Sequence, residues 1–270
     1  MIIQNFILDD FLWSFSRVEA YSRCPKCFYL QYVKCLPSLD GVFGQYGTLA
    51  HETLEKYLKG ELETYELATY YKNNFDKYIT EYFPPNNYVD LKEKYYNQGL
   101  EYFCNFEGFD SKEILKVEGE YLFKVGKYNF TGKIDLECPD EIIDHKTKGK
   151  FHLKRLTKKH NKEEYIQMLC GRHIHKDNFR QLYIYSIPFK EKYGKYPKLL
   201  NLNMIRINDW YSIEFNKKDF QESIDWLVGN IDKIYKDNEF KKGDDVGEFW
   251  CSNICSQRLN CVYSDRYLGV

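Results

Sequence analysis

Asp135, Asp144 and Lys146 sit in two short segments, "TGKID" and "DHK", that read as neighbouring β-strands. In the first strand, Tyr128 to Glu137, the alternation of Phe130, Ile134 and Leu136 predicts one apolar face and sends Thr131, Lys133 and Asp135 to the other. Cys138-Pro139-Asp140-Glu141 reads as a turn. A hairpin closed by those four residues puts Asp135 directly opposite Asp144, at a cross-strand spacing of roughly 5 Å. Lys146, two residues further on, shares their side. Two carboxylates so close repel each other, and a divalent cation relieves the repulsion. Mg2+ or Mn2+ suits oxygen donors, activates a bound water and offsets the charge that builds on a phosphate during hydrolysis. Lys146 is placed to orient that water or to steady the same charge. Such a triplet also fits an exposed hairpin with ordinary surface charges, so residues elsewhere must decide.

Upstream, Gly47 to Leu58 reads as a helix with Leu54, Tyr57 and Leu58 on an apolar stripe and His51 and Glu52 on its first turns. An imidazole there is a candidate metal ligand. Downstream, Gln181 and Tyr185 are four apart and share one face of a helix expected to run to about Tyr193.

In this order the set resembles the RecB-like branch of the PD-(D/E)xK nuclease superfamily. That branch shows, in chain order, a Cys-Pro near an N-terminal helix, Gly-x-x-x-His, a Gly-x-x-Asp strand, an Asp/Glu-x-Lys strand and a Gln-x-x-x-Tyr helix. The matching positions are Cys24-Pro25, Gly47 with His51, Gly132 with Asp135, Asp144 with Lys146, and Gln181 with Tyr185, a span of residues 14 to 185. The resemblance implies an α/β, restriction-endonuclease-like fold, a mixed central sheet flanked by helices. It makes His51, Asp135 and Asp144 ligands of Mg2+ or Mn2+, with the His145 backbone carbonyl as a fourth. Lys146 becomes the catalytic lysine, and Gln181 and Tyr185 become supports for the site or the DNA strand; Glu52 has no assigned part. The implied activity is a metal-dependent DNA nuclease, an exonuclease on DNA ends or single strands. Its implied settings are recombination, repair, and CRISPR or phage DNA processing, with DNA as partner and a protein partner in a recombination or CRISPR complex. The alternative is a catalytically weak nuclease-like subunit that binds DNA, against which the intact Asp135, Asp144 and Lys146 set argues.

The nine cysteines are odd in number and uneven in spacing, which argues against a disulfide framework. In relatives such as AddB and the CRISPR-associated adaptation nucleases, one early and three late cysteines hold a [4Fe-4S] cluster that staples the chain ends together. By resemblance those roles fall to Cys24, Cys251, Cys255 and Cys261. The family's late triplet has two residues between its first two cysteines; here there are three, Ser252-Asn253-Ile254, while the five-residue gap before Cys261 is kept. Cys27 is a rival fourth ligand, and a tetrahedral Zn2+ on the same thiolates is the alternative occupant. Cys35, Cys104, Cys138 and Cys170 lack partner spacing and are expected to be small buried residues or free thiols.

Length and a 43% apolar content support one substantial core, hence a single domain over residues 1–270. Within it the expected parts are a helical annex at about 44–108, a catalytic core at about 109–216, and a C-terminal helix with the cysteine cluster at 217–270. No run approaches the ~20 apolar residues of a membrane span, and the N-terminus lacks the basic region of a signal peptide, so the expectation is a soluble, cytoplasmic protein. A net charge of −1 excludes a uniformly basic nucleic-acid coat protein and requires any DNA contact to be local. Lys146 to Lys162 supplies one: Lys146, Lys148, Lys150, Lys154, Arg155, Lys158, Lys159 and Lys162, with no acidic residue between them. The many tyrosines and phenylalanines are spread along the whole chain, which points to core packing more than to base stacking.

The remaining elements follow from punctuation. Ser16 with Glu19 reads as a capping box opening a helix that stops near Ser22, and Pro25 suits the first turn of the next. Residues 44–108 read as helical, broken at Pro84-Pro85. Strands are expected at about 114–125, 128–137, 141–147, 199–207 and 210–216, and Asn216 can cap a final long helix with Phe220, Ile224, Leu227, Ile231 and Ile234 on one stripe.

Overall fold

Five strands form one mixed sheet in the order β1-β2-β3-β4-β5. They are β1 (Lys116–Val125), β2 (Tyr128–Cys138), β3 (Glu141–Lys146), β4 (Leu199–Met204) and β5 (Asp209–Glu214). The computed structural model describes residues 8, 11–109, 112–149 and 176–269. The basic stretch from Lys150 onward and Cys170 lie outside them. Neighbouring strands are antiparallel except β3 and β4, which pair in parallel from Glu141↔Leu199 to Lys146↔Met204. In β3 the run Ile142, Ile143, Asp144 and His145 is buried throughout, the mark of a central strand covered on both faces.

Among the described residues the helices before the sheet are α1 (Phe15–Arg23), α2 (Pro25–Phe28, continued by a π-type turn, Tyr29–Val33), α3 (Val42–Leu58), α4 (Leu67–Tyr78) and α5 (Leu91–Cys104). After the first three strands come α6 (Arg180–Tyr193), α7 (Lys217–Lys236) and α8 (Glu248–Asn253). Asn216 caps α7, its Oδ1 accepting from the Lys218 and Asp219 backbone N–H groups at 2.8 and 3.3 Å. The first helix is capped by Ser14, whose Oγ accepts from Arg17 N at 3.3 Å, and not by Ser16. Ser14 has the extended backbone that a cap needs, whereas Ser16 is already inside the helix.

The largest core joins α1, α2, α6 and α7 to the sheet through Val18, Phe28, Phe130, Ile134, Ile142, Leu182, Leu227 and Ile231. A second core, built on Tyr46, Leu49, Leu54, Tyr71, Phe75, Tyr102 and Phe103, unites α3, α4 and α5 as the helical annex. Most of the largest fully buried side chains are aromatic, so the tyrosine and phenylalanine content is spent on packing.

The alternation expected along β2 changes face midway. Ile134 packs in the main core, but Leu136 joins Phe109, Cys138 and Ile143 in a separate cluster. Across from this switch, Glu118 of β1 adopts φ of +52°, a left-handed conformation uncommon for a side chain other than glycine. The β2–β3 ladder runs from Cys138↔Glu141 to Leu136↔Ile143, one pair short of Asp135 and Asp144.

Candidate active site

Where that ladder ends, Asp135 replaces the missing backbone partner. Its Oδ2 accepts from the His145 N–H at 2.7 Å, which holds the carboxylate against β3 beside Asp144. On its other flank α3 delivers His51, with Nδ1 at 3.7 Å from Asp135 Oδ2. Gly47, one turn earlier, lets α3 come close: a Cβ there would lie 3.3 Å from Thr147 Oγ1, just past the end of β3.

His51, Asp135 and Glu118 each offer a ligand atom, all within 4.8 Å of one another. Glu118 is the residue that motif spacing does not reveal. It pairs with Lys133, and burial raises its carboxyl above the usual range, with the Asp135 charge adding to the rise against the pull of Lys133. Two carboxylates and an imidazole are a donor set that fits Mg2+ or Mn2+.

Asp144 is buried and directs Oδ2 to Lys146 Nζ at 2.6 Å. Burial raises its carboxyl, and the Asp135 charge adds to this against the opposing pull of Lys146. Burial works to lower the Lys146 ammonium, but the charge and hydrogen bond of Asp144 outweigh it and hold the group above its ordinary value. Lys146 therefore stays charged. His145 is different: burial, with His51 adding to it, pushes its imidazole down to about 3. The ring is neutral and meets the Asn203 side-chain amide through Nδ1 at 3.0 Å.

From the opposite side α6 supplies Gln181, whose Oε1 accepts from Lys146 Nζ at 2.8 Å. Tyr185, one turn later, is buried over Gly132; a Cβ at 132 would stand 2.5 Å from its Cε1. Burial first, and then the Asp144 charge, raise the Tyr185 phenol. Asp144, Lys146, Gln181 and Tyr185 thus form one connected line, with Asp135, His51 and Glu118 beside it. Glu52 is not in the group. Its carboxylate accepts from Tyr70 Oη at 2.6 Å and from Tyr78 Oη, which ties α3 to α4.

The late cysteines meet the early ones in a nest of their own. Cys24, Cys27, Cys251 and Cys255 pack together with Val246 and Trp250. Cys261 is buried next to them: burial, and then the charges of Cys255 and Cys24, raise its thiol against a hydrogen bond from the Tyr263 backbone. Both Cys24 and its rival Cys27 are therefore in the nest. Cys138 is buried elsewhere, and Cys35 and Cys104 are exposed free thiols.

No helix among the described residues is long and apolar enough to cross a membrane. No curated protein sequence matches the chain. A solved structure from Eubacterium rectale, named as an exonuclease by inference, resembles it in fold with a TM-score of 0.54 at 11% identity, over 91% of this chain and 88% of that one. The sequence profile of the PD-(D/E)XK nuclease superfamily matches residues 12–261, nearly the whole chain. The chain belongs to the PD-(D/E)XK nuclease superfamily.

Proposed function

We propose that this protein is a metal-dependent deoxyribonuclease of the RecB-like kind, an exonuclease acting on DNA ends or single strands. The observation that carries the reading is the group of His51, Glu118 and Asp135 within 4.8 Å, set beside the Asp144–Lys146 pair. His51, Glu118, Asp135 and Asp144, with the His145 carbonyl, would hold Mg2+ or Mn2+. When bound, such an ion supplies an activated water and charge stabilisation for phosphodiester hydrolysis. Asp135 and Asp144 supply carboxylate oxygens at the site, and His51 adds a ring nitrogen donor. Lys146 keeps its proton and presents a fixed positive charge to the phosphate oxygens, steered by Asp144 and Gln181. Tyr185 seats α6 against Gly132 and so fixes Gln181.

The nest cysteines Cys24, Cys251, Cys255 and Cys261 are proposed as the ligands of a [4Fe-4S] cluster. Their burial in one nest, drawn from both ends of the chain, supports this, and a brown preparation with broad visible absorbance tests it; Zn2+ gives a colourless one. For the nuclease, labelled linear single-stranded, linear double-stranded and closed circular DNA are incubated with Mg2+ or Mn2+, comparing wild type with Asp135→Asn and Lys146→Ala. The expected result is degradation of linear substrates only, lost in both variants. Full activity in either variant sinks the assignment, and wild-type protein inert on all three substrates favours a DNA-binding subunit.

A further inference from the structure

The cysteine nest holds one thiol more than a four-thiolate site uses. Cys27 Sγ and Cys255 Sγ are 3.4 Å apart, in contact, across 228 residues of sequence. Their backbones are held in place without the sulfurs. On the Cys27 side, Lys26 N donates to Lys241 O at 3.0 Å. On the Cys255 side, Leu39 N donates to Ser256 O at 3.0 Å and Gln257 Nε2 to Ser38 Oγ at 2.8 Å. Arg258, only 2% exposed, reaches Leu39 O at 3.4 Å. A disulfide bond of about 2.05 Å needs the two sulfurs to approach by about 1.4 Å from the observed 3.4 Å. Arg23, Pro25, Gly243 and Val246 line an open cleft, and Val246 is also part of the nest wall, so the nest lies beside that cleft.

We propose that Cys27 and Cys255 are a modification site, a thiol pair that hydrogen peroxide oxidises to a disulfide joining the two ends of the chain. One thiol attacks the peroxide, giving a sulfenic acid and water; the other thiol attacks that sulfur, forming the S–S bond and releasing a second water. Two thiols lose two hydrogens and two electrons, and one peroxide is reduced to two waters. The pair stands on the contact itself; only the order of events rests on the cluster reading, since a Cys255 bound to iron becomes available when the cluster is lost. The disulfide then keeps the two ends of the chain joined and prevents the cluster from being rebuilt until it is reduced.

The test uses the full chain as purified, with iron content and visible absorbance recorded first. After hydrogen peroxide treatment, free thiols are alkylated and the unreduced digest is analysed by mass spectrometry. The expected product is a dithiothreitol-sensitive Cys27–Cys255 peptide as the main linkage. The oxidised protein melts at a higher temperature than the reduced one, and Cys27→Ser and Cys27→Ala both lose linkage and shift, while Cys104→Ser keeps them. A dominant linkage of Cys255 to Cys24, Cys251 or Cys261, or over-oxidised thiols with no linkage, overturns the proposal. An iron-free preparation that still forms the Cys27–Cys255 link defeats the cluster reading and leaves the pair standing; a brown preparation that bleaches without forming it defeats the pair alone.

Discussion

Gly132→Ala isolates the contact that seats α6 on the sheet. The new Cβ would stand 2.5, 3.1 and 3.2 Å from Cε1, Cζ and Cδ1 of Tyr185. Ordinary contact begins near 3.4 Å, so the ring must retreat by about 0.9 Å from the closest of these. Tyr185 is only 7% exposed and lies in the main core, so the retreat is resisted by its neighbours. Overpacking of this kind costs about 1–3 kcal/mol. That corresponds to a thermal midpoint lowered by roughly 2–4 °C for each kcal/mol. The displacement also reaches the chemistry, because Gln181 on the same helix face accepts from Lys146 Nζ at 2.8 Å. Misplacing a positioning group by about 1 Å lowers a rate on the order of 100-fold. Unfolding by denaturant and the rate of DNA degradation are measured for Gly132→Ala, Tyr185→Val and the double variant. Valine lacks the ring atoms that clash, so the double variant should lose less stability than the sum of the singles, by about 1 kcal/mol or more. Strict additivity, or a Gly132→Ala protein with wild-type stability and rate, would refute the reasoning.

The other predictions concern single groups. Glu118→Gln should weaken Mn2+ binding in calorimetric titration by about 10-fold, roughly 1.4 kcal/mol, with the circular dichroism spectrum kept; an unchanged isotherm removes Glu118 from the ligand set. His145, held at about 3 in the fold chiefly by burial, takes a proton on unfolding. Its folded pKa is the lower one, so its contribution is complete above about pH 6.5 and falls with pH, by about 2 kcal/mol between pH 6.5 and 5 in cation-free protein. His145→Gln should flatten that slope, and equal slopes for the two proteins would contradict the assignment. Glu137 is fully buried and accepts from Tyr121 Oη at 2.6 Å, Tyr193 Oη at 2.8 Å and Lys192 Nζ at 3.3 Å. Glu137→Ala should cost about 2–4 kcal/mol in urea unfolding by leaving these donors unpaired; a loss below about 0.5 kcal/mol would show that water replaces the carboxylate.

What the sequence made legible was whatever depends on local period and punctuation. The positions of β1 and β2, the Pro139-Asp140 turn, the Gln181 helix and the Asn216 cap are each decided by residues within a few positions of one another. Glu118 was hidden for the opposite reason. It meets Asp135 and His51 only because its backbone takes φ of +52° at the point where β2 changes face, and no spacing encodes a left-handed glutamate. The same switch moved Leu136 out of the core that periodicity assigned to it. Glu52 looked like a spare carboxylate beside His51 because Tyr70 and Tyr78, which engage it, belong to another helix. The choice between Cys24 and Cys27 stayed open in the sequence, and the fold places both in the nest since they lie three positions apart on one helical turn.

The interrupted ladder gives Asp135 two duties, and they predict different outcomes for two substitutions. Its carboxylate accepts from the buried His145 backbone at 2.7 Å, and its charge faces His51 and Glu118. Asp135→Ala removes both and leaves an N–H without a partner, a loss of about 1–3 kcal/mol in stability. Asp135→Asn keeps an oxygen of the same reach for that N–H and removes only the negative charge. If the hydrogen bond is structural and the charge is chemical, the asparagine variant retains the wild-type thermal midpoint within about 1 °C per few tenths of a kcal/mol, yet loses cation binding and DNA degradation. The alanine variant loses all three. An asparagine variant as unstable as the alanine one would mean that the charge itself holds β2 to β3. The change of face in β2 would then depend on the charges of Asp135, Asp144 and Lys146 rather than on a single backbone hydrogen bond.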